Sequence, residues 1–308
     1  MSACGLLAIG ISACGGDDGG GSSDLSGTIR VDGSSTVFPF AQAAAELFNE
    51  DNPNVKISVG EAGTSGGFEK FCAGEIDISD ASRPIEPEEV DACKSGGVAY
   101  SEIPVANDGI SITTNPALEI SCLTTDQLKQ LWNSPTVTNY SELGEDADTG
   151  QPLPDAEVSL FGPGTDSGTF DYFTDVINGL EGRSRDDYQP SEDDNVLVEG
   201  VSGDQNGLGY FGFSYYAQNQ DALNLVSVDD GKGCVAPSNE TIQSGEYAPL
   251  SRPLFMYPGA DAISKPEVKA YMQYVVDNYE TIADQAQIVP LDSSQATEAT
   301  SALEKASG

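Results

Sequence analysis

Three short turns rich in glycine, serine and threonine are the segments of this 308-residue chain best suited to hold a ligand. Each follows a predicted strand and leads directly into a predicted helix. The turns are Gly33-Ser34-Ser35-Thr36, Gly63-Thr64-Ser65-Gly66-Gly67 and Gly164-Thr165-Asp166-Ser167-Gly168-Thr169. The first N–H groups of a helix lack intrahelical partners and carry partial positive charge, and hydroxyl groups add further donors. The pattern predicts a site for an oxyanion.

Helix capping is the alternative explanation for each turn, because serine and threonine are also preferred N-cap residues. Three such turns at the carboxyl ends of strands in one α/β chain favour a shared crevice over three unrelated caps.

Arg83 directly follows a predicted strand, in the segment Asp80-Ala81-Ser82-Arg83-Pro84. Its guanidinium group could hold an oxyanion through two parallel hydrogen bonds. A surface salt bridge to Asp80 or Glu86 is the competing interpretation. For Arg252 we expect a structural role near a hinge.

Composition excludes several classes of function. The chain has no histidine, which removes Ser-His-Asp and Cys-His catalysis and most zinc sites, and we predict neither an enzyme nor a cofactor or metal. It has 50 acidic and 13 basic residues, which argues against a nucleic-acid partner. The glycines of Gly207–Gly212 resemble a dinucleotide motif, but the segment itself is a predicted strand. An acidic, calcium-binding surface protein stays a less favoured alternative, because the acidic runs lack EF-hand spacing.

The N-terminal segment resembles the leader of a bacterial lipoprotein. Ile11-Ser12-Ala13-Cys14 matches a lipobox, so we expect residues 1–14 to be a signal segment and Cys14 to be the lipidated residue. Residues 15–26, rich in glycine, serine and aspartate, would form a flexible tether. No basic residue precedes Arg30, so an apolar leader without lipidation is the alternative.

Four cysteines remain in the body of the chain. An even number in an exported protein favours disulfides over a metal site. Proximity along the chain pairs Cys72 with Cys93 and leaves Cys122 with Cys234. Four buried thiols are the alternative.

Predicted strands and helices alternate from Gly27 onward, which indicates an α/β fold with a mainly parallel sheet. Two segments, Asn139–Pro154 and Arg183–Asn195, are predicted to be surface insertions. Apolar residues at helical spacing in Lys265–Tyr279 predict a helix that packs back onto the first domain.

The three turns, together with Asp80-Ala81-Ser82-Arg83-Pro84-Ile85, resemble those of the phosphate-binding proteins of phosphate-specific ABC transporters. This resemblance implies a two-lobed periplasmic-binding-protein type II (Venus flytrap) fold, each lobe a mainly parallel sheet flanked by helices, with two crossover strands as the hinge. It implies one lobe from residues 27–106 and 256–308 and a second from 107–255. It also implies that phosphate is bound by Ser35, Thr36, Ser65, Gly66, Ser82, Arg83, Ser167, Gly168 and Thr169.

The chain departs from many relatives at two positions. Pro163 and Gly164 stand where relatives have an arginine, so Arg83 is inferred to supply the charge from the opposite lobe. Ser82 stands where relatives have an aspartate that accepts the proton of phosphate and thereby rejects sulfate. Asp80 or Asp166 is the candidate for that role.

The resemblance further implies a monomer outside the cytoplasmic membrane, held by its lipid and delivering phosphate to ABC transporter permease subunits. Another tetrahedral oxyanion, such as sulfate or a phosphonate, is the alternative ligand.

Overall fold

In the computed structural model, which describes residues 25–165 and 167–307, the strands of the chain form one mixed sheet. The predicted lipidation residue Cys14, the signal segment and most of the tether lie outside the described residues. The strands are β1 Gly27–Gly33, β2 Val55–Val59, β3 Ile78–Ala81, β4 Ile103–Thr114, β5 Cys122–Thr124, β6 Ser159–Pro163, β7 Gln189–Ser191, β8 Gly207–Gly212, β9 Asn224–Asp229, β10 Cys234–Val235 and β11 Ser251–Pro258.

Helices connect most of the strands and form the C-terminal end of the fold. They are α1 Phe38–Asp51, α2 Thr64–Cys72, α3 Pro87–Gly96, α4 Thr125–Asn133, α5 Gly168–Phe173, α6 Asp194–Gly203, α7 Phe213–Gln218, α8 Asn239–Gln243, α9 Ala260–Ile263, α10 Pro266–Asp277, α11 Tyr279–Gln285 and α12 Ser293–Ser307. A 3₁₀ turn spans Tyr140–Leu143, and a π-helical turn at Thr174–Asn178 continues α5.

The sheet runs in the order β2-β1-β3-β11-β4-β8-β6-β7, and β9 pairs with β4, β5 and β10. β1 is parallel to β2 and β3, and β6 is parallel to β7 and β8. The long strands β4 and β11 are antiparallel to each other and join these two parallel groups. The α/β fold predicted from the sequence is confirmed, with the antiparallel pair β4 and β11 in the place expected for the crossovers.

Two separate apolar cores lie on either side of this antiparallel pair. The first contains Ala106 of β4 and Leu254 of β11, and the second contains Ile110 of β4 and nearby Leu250. Along β4 the chain passes from the first core to the second between Ala106 and Ile110, and near the start of β11 it returns between Leu250 and Leu254. The predicted lobe boundaries, after residues 106 and 255, stay a prediction. The first falls where the core changes, whereas Leu254 lies in the first core although the prediction assigns it to the second lobe.

The C-terminal helix α10 shows why the sequence folds back onto the first core. Apolar residues recur along one face of this helix, and those on that face are buried: Val268, Tyr271, Met272, Val275 and Val276. The Tyr271 hydroxyl donates a hydrogen bond to the Ala41 carbonyl of α1 at 3.2 Å. Burying a large apolar side chain contributes about 1.5–3 kcal/mol, so this face fixes the helix against α1.

Glycines allow the first two turns to meet at the ends of their strands. A Cβ on Gly33 would lie 2.1 Å from the carbonyl oxygen of Asp80, and the backbone there has φ 145°. A Cβ on Gly67 would lie 2.6 Å from the Cα of Gly33. A larger residue at Gly33 would push β1 away from β3, and one at Gly67 would push the second turn away from the first.

One predicted insertion is wrong. The segment Arg183–Asn195 contains β7 and the first residues of α6, and β7 adds a parallel strand beside β6. Its sequence, Gln189-Pro190-Ser191, gives no apolar alternation, because an edge strand can be short, polar and interrupted by proline.

Both predicted disulfides are present. Cys72 of α2 joins Cys93 of α3, and Cys122 of β5 joins Cys234 of β10. No helix within residues 25–165 and 167–307 has the length and apolarity to cross a membrane.

The two disulfides should differ in their contribution to stability. Replacing Cys122 and Cys234 together with alanine should lower the free energy of unfolding by about 4–5 kcal/mol, and the Cys72/Cys93 double replacement by about 3 kcal/mol. The reason is that the Cys122–Cys234 disulfide closes a longer loop, with a sequence separation of 112 residues, than the Cys72–Cys93 disulfide, with a separation of 21. Urea unfolding of both variants tests this, and a greater loss for the Cys72/Cys93 variant would contradict it.

Candidate functional site

A cavity of about 440 Å³ lies where the three turns meet the strand pair β4 and β11. Its wall combines hydroxyl groups, glycine backbone, two arginines and three carboxylates. The lining residues are Ser34, Ser35, Thr36, Ala62, Gly63, Thr64, Ser65, Gly66, Ser82, Arg83, Pro84, Gly168, Asp171, Tyr172, Asp175, Glu181, Arg252 and Pro253.

The structure brings most of the residues predicted from the sequence onto this one wall. Those that line the cavity are Ser35, Thr36, Ser65, Gly66, Ser82, Arg83 and Gly168. Ser167 and Thr169 flank Gly168 without lining the cavity, Asp80 is fully buried and does not line it, and Asp166 lies outside the described residues.

The first turn is held by Ser34. Its hydroxyl accepts the N–H of Thr36 at 3.2 Å, and its carbonyl accepts the N–H groups of Val37 and Phe38. Its own N–H donates to the carbonyl of Asp80 at 3.0 Å. The backbone donors of this turn are thus largely used within the fold, and the side chains of Ser35 and Thr36 are what it presents to the cavity.

The second turn opens α2 without a side-chain cap, since Gly63 occupies the N-cap position with φ 81°. The first N–H groups of the helix therefore have no side-chain cap, and Thr64, Ser65 and Gly66, which carry them, line the cavity. Asp32 ties this turn to β1 by accepting the N–H groups of Gly33 and Ala62, each at 2.9 Å. Burial acts to raise the pKa of Asp32, but hydrogen bonds from Lys70 and Ala62 outweigh it and lower the pKa.

The third turn differs because Ser167 acts as the N-cap of α5 and accepts the N–H of Thr169 at 3.2 Å. Gly168 is the residue of this turn that approaches the first turn. A Cβ there would lie 2.6 Å from Ser35 Oγ and 2.7 Å from Thr36 Oγ1. Capping and contact with the cavity thus belong to different residues of the same turn.

Arg83 makes a two-point ion pair with Glu89 of α3. Its Nη1 and Nη2 atoms lie 2.9 and 2.8 Å from Glu89 Oε2 and Oε1. Nη2 also donates to Ser65 Oγ at 3.0 Å, and Nε lies 3.5 Å from Glu86. Hydrogen bonding to Glu89 raises the pKa of Arg83, so the group is firmly cationic while its charge is balanced locally.

Arg252 lies on β11 opposite Asp108 of β4 and reaches into the cavity. Its Nε atom is 3.2 Å from Asp108 Oδ2, and its Nη2 donates to Thr36 Oγ1 at 2.6 Å. Its guanidinium carbon lies 3.7 Å from the centre of the Tyr172 ring. The side chain expected to be structural near the hinge therefore also contacts the first turn.

Asp80 is fully buried, and neither of its carboxyl oxygens has a hydrogen-bond partner in the described part of the chain. Burial, and after it the charge of Asp32, raise the pKa of Asp80 well above its ordinary value. Because Asp80 is fully buried and does not line the cavity, its carboxyl group is not placed to contact a ligand there.

Three carboxylates form the other side of the cavity: Asp171, Asp175 and Glu181. Burial, and after it the charge of Glu181, raise the pKa of Asp171, whereas Arg252 acts in the opposite direction. None of these three residues was predicted from the sequence. Asp171 lies four residues after Ser167 on one helical face, a weak signal, and Glu181 has none.

The sequence did carry a signal for Arg252. Both cavity arginines occur in the same tripeptide, Ser82-Arg83-Pro84 and Ser251-Arg252-Pro253, and both prolines line the cavity. The residues that hold the arginines, Glu89 and Asp108, could not be found this way, because their contacts depend on the fold.

Comparison with known proteins agrees with this architecture. The model of the PBP superfamily domain matches residues 19–278. "Protein SphX" of Synechococcus elongatus is 40% identical over 88% of this chain and 80% of its own length. "Phosphate-binding protein PstS" of Staphylococcus haemolyticus is 36% identical over 90% of this chain and 86% of its own. A crystal structure from Planctomyces limnophilus, described as a possible phosphate binding protein, is 43% identical, with a TM-score of 0.84 over 92% of this chain and 99% of that one.

Two parallel strand groups joined by an antiparallel strand pair, with a polar cavity beside that pair, define a binding protein of the periplasmic type. Within this class, the chain belongs to the PBP superfamily and to its family of PstS-type phosphate-binding proteins.

Gly168→Ala should disturb the cavity, because the new methyl group would clash with the hydroxyls of Ser35 and Thr36. Overpacking of this kind costs about 1–3 kcal/mol, so we expect a lower melting temperature and weaker ligand binding. Gly203→Ala is the matched control, since no atom lies within 4 Å of its added Cβ. Thermal unfolding checks the prediction, and equal behaviour of the two variants would contradict it.

Proposed function

We propose that this protein binds inorganic phosphate outside the cytoplasm and delivers it to the permease subunits of an ABC transporter. The observation that carries the proposal is the convergence of hydroxyls from the first two turns, Gly168 of the third turn, and two arginines on one cavity. Membership of the PstS-type family supports the ligand and the transporter.

The cavity suits a small oxyanion for electrostatic reasons. The whole chain carries a formal charge of −37, which repels anions at long range. Once inside, the ion meets fixed hydroxyl and backbone donors at distances where hydrogen bonding exceeds the screened repulsion. We infer that closure of the two lobes about β4 and β11 completes this shell of donors.

The transport role includes proposals beyond the site. We propose that the protein is a monomer held at the outer face of the cytoplasmic membrane through a lipid on Cys14, with residues 15–26 as the tether. Its family consists of substrate-binding proteins, and we propose no catalytic activity. Among the described residues, no group of three or more cysteine, aspartate or glutamate side chains is placed to hold a metal ion.

Phosphate should stabilise the folded protein, because a ligand that binds only the folded state shifts the unfolding equilibrium. At a phosphate concentration a hundred times the dissociation constant, the gain is about 2.7 kcal/mol. Thermal unfolding of phosphate-stripped protein should therefore move to higher temperature with phosphate and not with chloride of equal ionic strength. An unchanged melting temperature would contradict the proposal.

Selectivity against sulfate is proposed to depend on Asp171. An ionised carboxylate can accept a hydrogen bond from protonated phosphate, whereas sulfate has no proton to donate. Asp171 lines the cavity, which buried Asp80 does not.

Asp171→Asn should weaken phosphate binding and strengthen sulfate binding, as measured by isothermal titration. In the wild type, sulfate binding would require proton uptake by Asp171, so its affinity should fall by up to about tenfold per pH unit above the pKa of Asp171. In the variant this pH dependence should disappear. Unchanged selectivity in Asp171→Asn would refute the assignment.

A further inference from the structure

Both cavity arginines are arranged in the same way: each lies between a carboxylate and a hydroxyl group. Arg83 connects Glu89 to Ser65, and we name this series the Arg83 relay. Arg252 connects Asp108 to Thr36, and we name this series the Arg252 relay. The two relays share no residue, and they belong to different elements of the fold.

The carboxylate and guanidinium groups of the Arg83 relay are largely shielded from solvent, whereas Ser65 is exposed. The side chain of Glu89 is 15% exposed and that of Arg83 30%. Glu89 is fixed in turn, because its Oε2 accepts the N–H of Glu86 in the capping box of α3. Helix α3 is also bound to α2 through Cys93 and Cys72, so Ser65 at the start of α2 is positioned by contacts at both ends of that helix.

The Arg252 relay spans the crossover strands. Arg252 and Asp108 are register partners on β11 and β4, and their side chains are only 15% and 12% exposed. Tyr172 covers the guanidinium group and donates its hydroxyl to the carbonyls of Pro249 and Ser251, which precede Arg252 on the chain. The arginine is thus held on three sides.

The direction of these hydrogen bonds decides what the hydroxyls can do. A guanidinium group has donors only, so Ser65 Oγ and Thr36 Oγ1 must accept from Arg83 and Arg252. Each hydroxyl has a single proton, and that proton is then left to donate elsewhere. Within residues 25–165 and 167–307, no other hydrogen bond of these two hydroxyls is seen, and both line the cavity.

We propose that Glu89 and Asp108 are positioning residues, which hold the two arginines so that the hydroxyls of Ser65 and Thr36 act as oriented donors to the bound anion. This inference rests on the proposed phosphate site. Each arginine is balanced by its carboxylate, so it polarises a hydroxyl instead of supplying net charge to the ligand.

Glu89→Gln separates this proposal from an arginine clamp, because the two predict opposite signs. If Arg83 bound phosphate chiefly by its positive charge, removing the negative charge of Glu89 would leave the charge of Arg83 unbalanced, and phosphate would bind more tightly. If Glu89 positions Arg83, the substitution weakens the hold on Ser65, and phosphate binding should weaken about tenfold, the loss of one charge-assisted hydrogen bond.

A double-mutant cycle measures whether Glu89 and Ser65 act on phosphate binding together. A merely structural role of Glu89 would not produce this coupling. Isothermal titration of phosphate-stripped wild type, Glu89→Gln, Ser65→Ala and the double variant should show about a tenfold loss for each variant alone and no greater loss for the pair. Glu86→Gln is the matched control, since it removes the same charge beside the same arginine. Its side chain is 55% exposed and lies 3.5 Å from Nε, so binding should change less than twofold.

The Arg252 relay is tested independently by Asp108→Asn with Thr36→Val, which keeps the proposal testable if Glu89→Gln fails to fold. Tighter binding by Glu89→Gln or Asp108→Asn, or losses that multiply within each pair, would overturn the relays while phosphate binding itself stands. Absence of phosphate binding by the wild type would overturn the proposed function and the relays together.

Discussion

The close approach of backbone to backbone at the strand ends is the constraint on which the rest of the site depends. Gly33 and Gly67 allow the first two turns to touch, and Gly168 brings the third against the hydroxyls of the first. These contacts leave no space for a side chain, so the hydroxyls of Ser35 and Thr36 are presented at a defined place. The disulfide between α2 and α3 and the hydrogen bonds of Asp32 hold the second turn in the same arrangement.

Electrostatics explains how a strongly acidic protein can hold an anion. The cations at the cavity are each paired with a carboxylate, Arg83 with Glu89 and Arg252 with Asp108. The arginines act on the ligand through the hydroxyl groups that they orient. The dipoles of these hydroxyls act at short range and are weakly affected by the charge of the distant surface. The carboxylates on the opposite wall, among them Asp171, make an unprotonated anion less favourable.

Much of the fold could be predicted from the sequence, because strand and helix patterns alternate and the three turns occupy strand ends. The apolar face of α10 and both disulfide pairs could also be predicted, because the spacing of apolar residues and the even number and proximity of the cysteines are visible in the sequence itself. Strand β7 was missed because a polar edge strand has no periodic signal. Glu89, Asp108 and Glu181 were missed because their roles arise only from tertiary contacts.

A crystal structure of the phosphate-loaded protein tests the central claim most directly. We predict one tetrahedral ion in the cavity, within hydrogen-bond distance of the hydroxyls of Thr36 and Ser65 and of the first N–H groups of α2. An ion bound elsewhere, or in contact with both guanidinium groups but with neither hydroxyl, would contradict it.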